Sequence, residues 1–269
     1  MPELPEVETT LRAIKKFQKK QLIEIKVNNR NLRWKVDKSI EIDTKNQRIL
    51  NLKRRAKYII FELENLSLLL HLGMSGSLRI AKRDENYFLK HDHIEFIFEN
   101  EKIIYNDPRR FGSLHITSDI NNHNLIRFLG PEPLSKSFNS KYLFNLCTNS
   151  KTNIKTLLMN QKNVVGIGNI YASEALFLSR INPVKQSNKL TIKECGQLTA
   201  ASKKILNAAI KCGGTTIKDF YSADGNAGYF KIKLNVYGRE DLDCRECNSK
   251  IKKVTVNNRA TFYCSRCQS

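Results

Sequence analysis

Apolar residues recur at helical spacing at Leu11, Ala13, Ile14 and Phe17, which predicts an amphipathic helix from Thr9 to Phe17. The period then shortens. Apolar runs at 22–27 (LIEIKV), 49–53 (ILNLK), 58–64 (YIIFELE), 67–72 (SLLLHL), 93–99 (HIEFIFE) and 102–106 (KIIYN) have strand length and are separated by turns. Short strands at such regular spacing predict an antiparallel sandwich. The segment 128–134 (FLGPEPL) carries two prolines and a glycine, which stop regular structure and mark a domain boundary. Past it the helical period returns. Residues 153–161 (NIKTLLMNQ), the VVGIG turns and 169–179 (NIYASEALFLS) read as helix, two turns, helix, and a further helix over 191–212 stops at Gly213–Gly214. Residues 215–240 are polar and contain glycine, and they predict a loop.

With 269 residues, 41% of them apolar, the chain is large enough for more than one core. Its net charge of +20 exceeds what solubility requires and suggests a polyanionic partner, although a lysine-rich composition would also raise it. No apolar run approaches the ~20 residues needed to span a bilayer, so no membrane partner is expected. The acidic N-terminus lacks a basic-then-apolar export signal. A cytoplasmic location is therefore expected, and no heptad or self-pairing strand signal appears.

Seven cysteines, four of them in CxxC pairs, point to metal in a reducing compartment and not to disulfides. Cys244-x-x-Cys247 and Cys264-x-x-Cys267, sixteen residues apart, have the spacing of a ribbon-type site for one structural zinc ion. Cys147, Cys195 and Cys212 read as buried small hydrophobes. The expected organisation is α+β and multidomain: an N-terminal helix plus antiparallel β-sandwich over 1–130, a helical domain with helix–two-turns–helix over 131–236, and a C-terminal zinc ribbon-type finger over 237–269.

Four other stretches carry candidate chemistry. Removal of Met1 from MPELPEVE would leave Pro2 as an N-terminal secondary amine beside Glu3; such an amine titrates near ~8 and forms a charged iminium with a sugar aldehyde carbon. Lys57 alternates inward with Ile59 and Phe61, which hints at a cleft. In NDPRRFG (106–112), Arg109 and an exposed Phe111 on a turn suit wedge insertion into a base stack, or simply packing of Phe111 on its own domain. Gly166, Gly168 and Asn169 at a helix start suit a phosphate, or merely cap the helix. The basic segment 252–263, with Lys252, Lys253 and Arg259, reads as a hairpin that either enters a DNA groove or stays solvated.

Six motifs in order, MPELPEVE, HLGMSGSLR, DPRRFG, VVGIGNIYASE, GGTTIKDF and NRATFYCSRCQ, resemble the bacterial formamidopyrimidine-DNA glycosylase family over essentially the whole chain. The resemblance implies a monomeric base-excision repair enzyme whose partner is damaged double-stranded DNA and which needs no nucleotide cofactor. It implies that Pro2 displaces an oxidised purine through a Schiff base, that Glu3 donates a proton, and that Lys57 and Arg259 assist β- and δ-elimination. Glu6 would orient the N-terminal segment. Met74, Arg109 and Phe111 match the set that fills the vacated space, with Arg109 facing the orphaned cytosine. Asn169 and Lys57 would hold phosphates flanking the lesion, and His71, His91 and Lys151 are further phosphate candidates. Lys218 and the loop through Tyr229 would cover the flipped base. The family commonly has Pro before Gly-Tyr-Phe where this chain has Ala227, which bears on base preference. A sister branch that removes oxidised pyrimidines shares the scaffold, but TTIKDF, Arg109 and Phe111 look like the purine branch. A non-catalytic damage sensor would have lost Pro2, Glu3 or Lys57, and all three are present. A zinc-ribbon transcription or RNA-binding protein would leave MPELPEVE unexplained.

Overall fold

A computed structural model describes residues 2–85, 88–213 and 234–269. Lys218, Ala227 and Tyr229 lie outside the described residues. In chain order the elements are α1 (Leu4–Ile14), β1 (Glu24–Val27), α2 (Ser39–Asp43), β2 (Asn51–Arg55), β3 (Tyr58–Glu62), β4 (Ser67–His71), β5 (Ser77–Lys82), β6 (Asp92–Ile97) and β7 (Glu101–Asn106). They continue with β8 (Ser113–Thr117), α3 (Ser140–Thr148), α4 (Ile154–Met159), α5 (Asn169–Leu178), α6 (Ile192–Lys211), β9 (Ile251–Val256) and β10 (Arg259–Cys264).

The chain divides into two compact units, with the change between Arg127 and Phe128. In the first, two four-stranded antiparallel sheets, ordered β1-β6-β7-β5 and β2-β3-β4-β8, enclose one core. Phe61 of one sheet stacks on Phe96 of the other, ring centroids 5.1 Å apart, and Val7, Leu11 and Ile14 of α1 join the same cluster. The helix begins five residues before the predicted Thr9. Leu4 and Val7 extend the apolar stripe backwards, and Glu3 and Glu6 form a reciprocal capping box in which the Glu3 amide donates to Glu6 Oε2 at 2.8 Å. Pro5 costs nothing in that first turn, where an amide proton has no helical partner. The last predicted residues, Lys15–Phe17, tighten into a 3₁₀ turn.

In the second unit α3 and α5 both pack on α6. The helix–two-turns–helix prediction corresponds to α4 and α5, where Asn153 caps α4 by accepting from the Thr156 amide at 2.8 Å. Helix α5 is buried from Ile170 through Phe177, so it is covered on every side, Ser173 and Glu174 included. The β9–β10 hairpin packs on it, and Phe177 shares a small core with Val236, Ile251 and Phe262. Asn257 and Asn258 turn the hairpin with φ values of 46° and 57°, the left-handed pair that a two-residue turn requires. No helix among the described residues is long and apolar enough to cross a membrane.

Candidate nucleic-acid interface

Pro2 and Glu3 are buried at the start of α1, and the capping box fixes the direction of the chain there. The helix packs on β2 and β3, with Glu8 accepting from Arg54 Nε at 3.0 Å. Lys57 lies in the two-residue turn between those strands and is only 7% exposed, which agrees with its inward register. Its neighbour Ala56 holds a left-handed φ of 54°, a strained conformation for alanine that the packing around it sustains. Beside them His71 is paired in register with Tyr58. Burial, reinforced by the positive charges of Lys57 and Arg33, pushes the His71 imidazole down to about 4. At neutral pH it is therefore uncharged. Its Nδ1 accepts from the Gly73 amide at 3.0 Å, which leaves the proton of the neutral ring on Nε2.

The residues predicted to form an insertion set sit on two interlocked loops. Gly73 has a φ of 69°, and a Cβ there would lie 2.4 Å from the Gly112 nitrogen and 2.5 Å from the Phe111 carbonyl carbon. The Met74 loop and the Phe111 turn thus meet backbone to backbone. Fully buried Asp107 organises both: one carboxylate oxygen accepts from the Ser75 hydroxyl at 2.6 Å, the other from the Gly112 amide at 2.8 Å and the Tyr105 hydroxyl at 3.0 Å. Ser75 Oγ in turn accepts from the Arg109 amide at 3.1 Å. Arg109 is exposed and its guanidinium lies 4.9 Å from the centre of the Phe111 ring, which is itself 44% exposed. Phe111 therefore stands out from its domain and does not fold back onto it.

His91 is half-buried, and its carbonyl accepts from the Asp107 amide at 3.0 Å. Nε2 of its neighbour His93 meets the Asp107 carbonyl at 2.8 Å, and neither histidine joins a metal-holding group among the described residues. Arg79 clamps the buried Asp92 with contacts of 2.6 and 2.7 Å. Burial alone would raise the Asp92 carboxyl, but this clamp and the Asn106 amide hold it below the usual range.

In the second unit, Asn169 opens α5 and its Nδ2 donates to the Ala260 carbonyl at 2.9 Å, while its buried Oδ1 has no partner. Lys155 of α4, 1% exposed, reaches the same carbonyl at 3.2 Å and the Thr261 hydroxyl at 2.6 Å. Both anchors grip the hairpin next to exposed Arg259. A cleft of about 300 Å³ between α4 and the hairpin is lined by Lys155, Thr156, Met159, Asn257 and Arg259 among others. Lys155 was not anticipated, because a lysine inside an apolar helical run gives no sign of the strand that will satisfy it. The predicted Lys151 is exposed just before α4.

The thiol sulfurs of Cys244, Cys247, Cys264 and Cys267 all lie within 4.8 Å of one another, with Cys244–Cys267 at 3.9 Å and Cys247–Cys264 at 3.4 Å. A tetrahedral zinc site with bonds of about 2.3 Å holds its sulfurs about 3.8 Å apart, so the donor set fits one such ion. Hydrogen bonds from Ser249 pull Cys247 down to about 6, while burial and the neighbouring thiols push Cys267 up to about 12. A metal ion bound there would offset the charge of the four sulfurs as thiolates. From α5 the buried Glu174 ties down the approach to the cluster, accepting from the amides of Asn235, Val236 and Tyr237 at 2.8 to 3.0 Å.

Residues 1–114 match the N-terminal domain model of formamidopyrimidine-DNA glycosylase, and residues 129–221 match its H2TH domain model. The formamidopyrimidine-DNA glycosylase of Hydrogenovibrio crunogenus is 50% identical over 271 residues, covering 100% of this chain and 96% of that protein. That of Haemophilus influenzae (strain PittEE) is 46% identical, covering 100% of this chain and 99% of that protein. Among solved structures, the complex of Lactococcus lactis Fpg with DNA containing an abasic site aligns with a TM-score of 0.91 at 35% identity over 99% of both chains. The Thermus thermophilus protein aligns with a TM-score of 0.88 at 34% identity, over 99% of this chain and 98% of that one. With the sandwich, the two-turn helical pair and the four-cysteine finger in place, the chain belongs to the formamidopyrimidine-DNA glycosylase family.

Proposed function

We propose that this protein is a bifunctional glycosylase and abasic-site lyase that excises oxidised purines, 8-oxoguanine opposite cytosine and formamidopyrimidines, from duplex DNA. The observation that carries the reading is the burial of Pro2 and Glu3 on a capped helix, in the same unit as buried Lys57. Chemistry on a base in a duplex requires that base to leave the stack. Freed of Met1, the Pro2 amine attacks C1′ of the extruded nucleotide. The bond to the base breaks, the base departs, and Glu3 donates a proton as the sugar ring opens to an iminium. The iminium draws electrons from the adjacent C2′–H bond. Loss of that proton expels the 3′ phosphate, and a second elimination expels the 5′ phosphate.

Lys57 assists the first elimination and holds a flanking phosphate; Arg259 assists the second. Met74 and Phe111 occupy the vacated space, and Arg109 hydrogen-bonds the orphaned cytosine. Asn169, at the positive end of α5, holds another phosphate flanking the lesion, and His71, His91 and Lys151 are further phosphate contacts. For His71 the donor is the neutral ring's Nε2–H and not a cation. Lys218 belongs to the cover over the base. One zinc ion on the four cysteines holds the Arg259 hairpin in shape and takes no part in the reaction.

Sodium borohydride trapping on a duplex carrying 8-oxoguanine opposite cytosine tests the reading, because hydride converts the iminium to a stable amine. Mass mapping is expected to place the adduct on Pro2. Absence of an adduct, with DNA bound and Pro2 verified as the N-terminus, would overturn it. A marked preference for thymine glycol in the same assay would move the substrate to oxidised pyrimidines.

A further inference from the structure

Arg33 and Trp34 sit in a tight loop between β1 and α2, closed by a bridge between Asn31 and Lys35. Trp34 is the chain's single tryptophan and is 44% exposed, as much as Phe111. The Arg33 guanidinium stacks on the indole, 4.6 Å from its centre, and among the described residues no carboxylate pairs with it. A stacked, unneutralised guanidinium is already ordered, so little rotamer freedom is lost when it meets a phosphate.

The loop is tied to the proposed insertion turn. The Arg33 amide donates to the Gly112 carbonyl at 3.2 Å, one residue beyond Phe111. The indole rests edge-on against His115, ring centres 5.4 Å apart. At the base of the loop Arg30 is paired with Glu41. The Arg33 charge is also felt at Tyr58 and His71, so the guanidinium lies near both.

We propose that the Arg33–Trp34 stack is a further contact to duplex DNA beside the Phe111 turn, with the guanidinium on a phosphate and the indole against the neighbouring deoxyribose. This rests on the nucleic-acid reading above. It is supported by continuity with the Phe111 turn through the Gly112 carbonyl, by an exposed aromatic in a cationic setting, and by the net charge of +20.

Trp34 reports on itself, since no other indole contributes to emission. The probe is a short duplex with a tetrahydrofuran abasic analogue, which binds without being cleaved. Saturating duplex is expected to reduce acrylamide quenching of Trp34 at least twofold. Arg33→Ala, checked for folding by circular dichroism, should lower the slope of log affinity against log salt by about 0.9, the share of one phosphate. Between 50 and 200 mM salt the unmodified protein would then lose about 3.5-fold more affinity than the variant. Arg33→Lys should restore the slope. Unchanged quenching or an unchanged slope overturns the inference. If the unmodified protein still binds the duplex and traps at Pro2, only this inference falls; if it does neither, the proposed function falls and takes the inference with it.

Discussion

Asp107 and His71 show how single buried groups set the state of the site. Asp107 has no exposed surface, yet Ser75, Tyr105 and Gly112 supply donors to both of its oxygens, so its polar atoms are satisfied and two loops share one anchor. Tyr105 is held protonated by burial and by that same carboxylate, its phenol raised well above the ordinary value. His71 is the opposite case, a base kept neutral. In the unfolded chain it takes a proton near ~6.5, while in the fold it does so only at about 4. Between those values the unfolded state binds more protons, so stability is full above the upper one and declines as pH falls towards the lower. Urea midpoints measured from pH 7 to pH 4 should fall, and His71→Gln should flatten part of that fall. His115 and His123, also lowered by burial, leave the remainder. A His71→Gln curve parallel to that of the unmodified protein would show that the imidazole titrates freely.

Among the elements, those with a strong apolar period were legible and those built on few apolar positions were not. Strands β3, β4, β6 and β7 each bury three or more consecutive residues and stand out as apolar runs. Strands β5 and β8 contribute chiefly Leu78 and Leu114 to the core, with Ile80 and Ile116 partly buried, and their charged and polar neighbours hide the alternation. Helix α3 is short and fully buries only Leu143 and Cys147. The start of α1 was missed because Glu3 was read as a proton donor alone, and Glu6, read as orienting the segment, was not seen as its partner in the capping box that sets the first turn. The cysteine cluster was legible because its spacing is local. The grip of Lys155 on Ala260 and Thr261 joins residues more than a hundred positions apart, and no local pattern encodes it. Helix α5 carries its own test. Glu174→Ala strands three amides that the carboxylate now satisfies, and each orphaned buried donor costs about 1–3 kcal/mol. Limited proteolysis should then cut between 234 and 243, a segment expected to resist in the unmodified protein.

At the scale of the whole molecule, the two units keep separate cores. Among the described residues, the sandwich cluster draws on residues up to Ile116, and the helical and finger clusters on residues from Leu134 onward. Loss of the metal should therefore be felt in one unit and spared in the other. Cys264→Ala is expected to lose the bound metal and DNA affinity while the β-sheet signal in circular dichroism persists, and global unfolding on this substitution would contradict that independence. The finger is attached in a particular way. Glu174 reads three main-chain amides of residues 235–237, and Asn169 and Lys155 converge on the main-chain carbonyl of Ala260. Apart from the Lys155 contact to the Thr261 hydroxyl and the packing of Phe177 on Ile251 and Phe262, such a joint reads the main chain and not the side chains it holds. Exposed hairpin positions other than Asn257, which bonds Thr156, and Arg259, which has work of its own, can change without the socket noticing, so the outer face of the finger can vary while its seat stays the same.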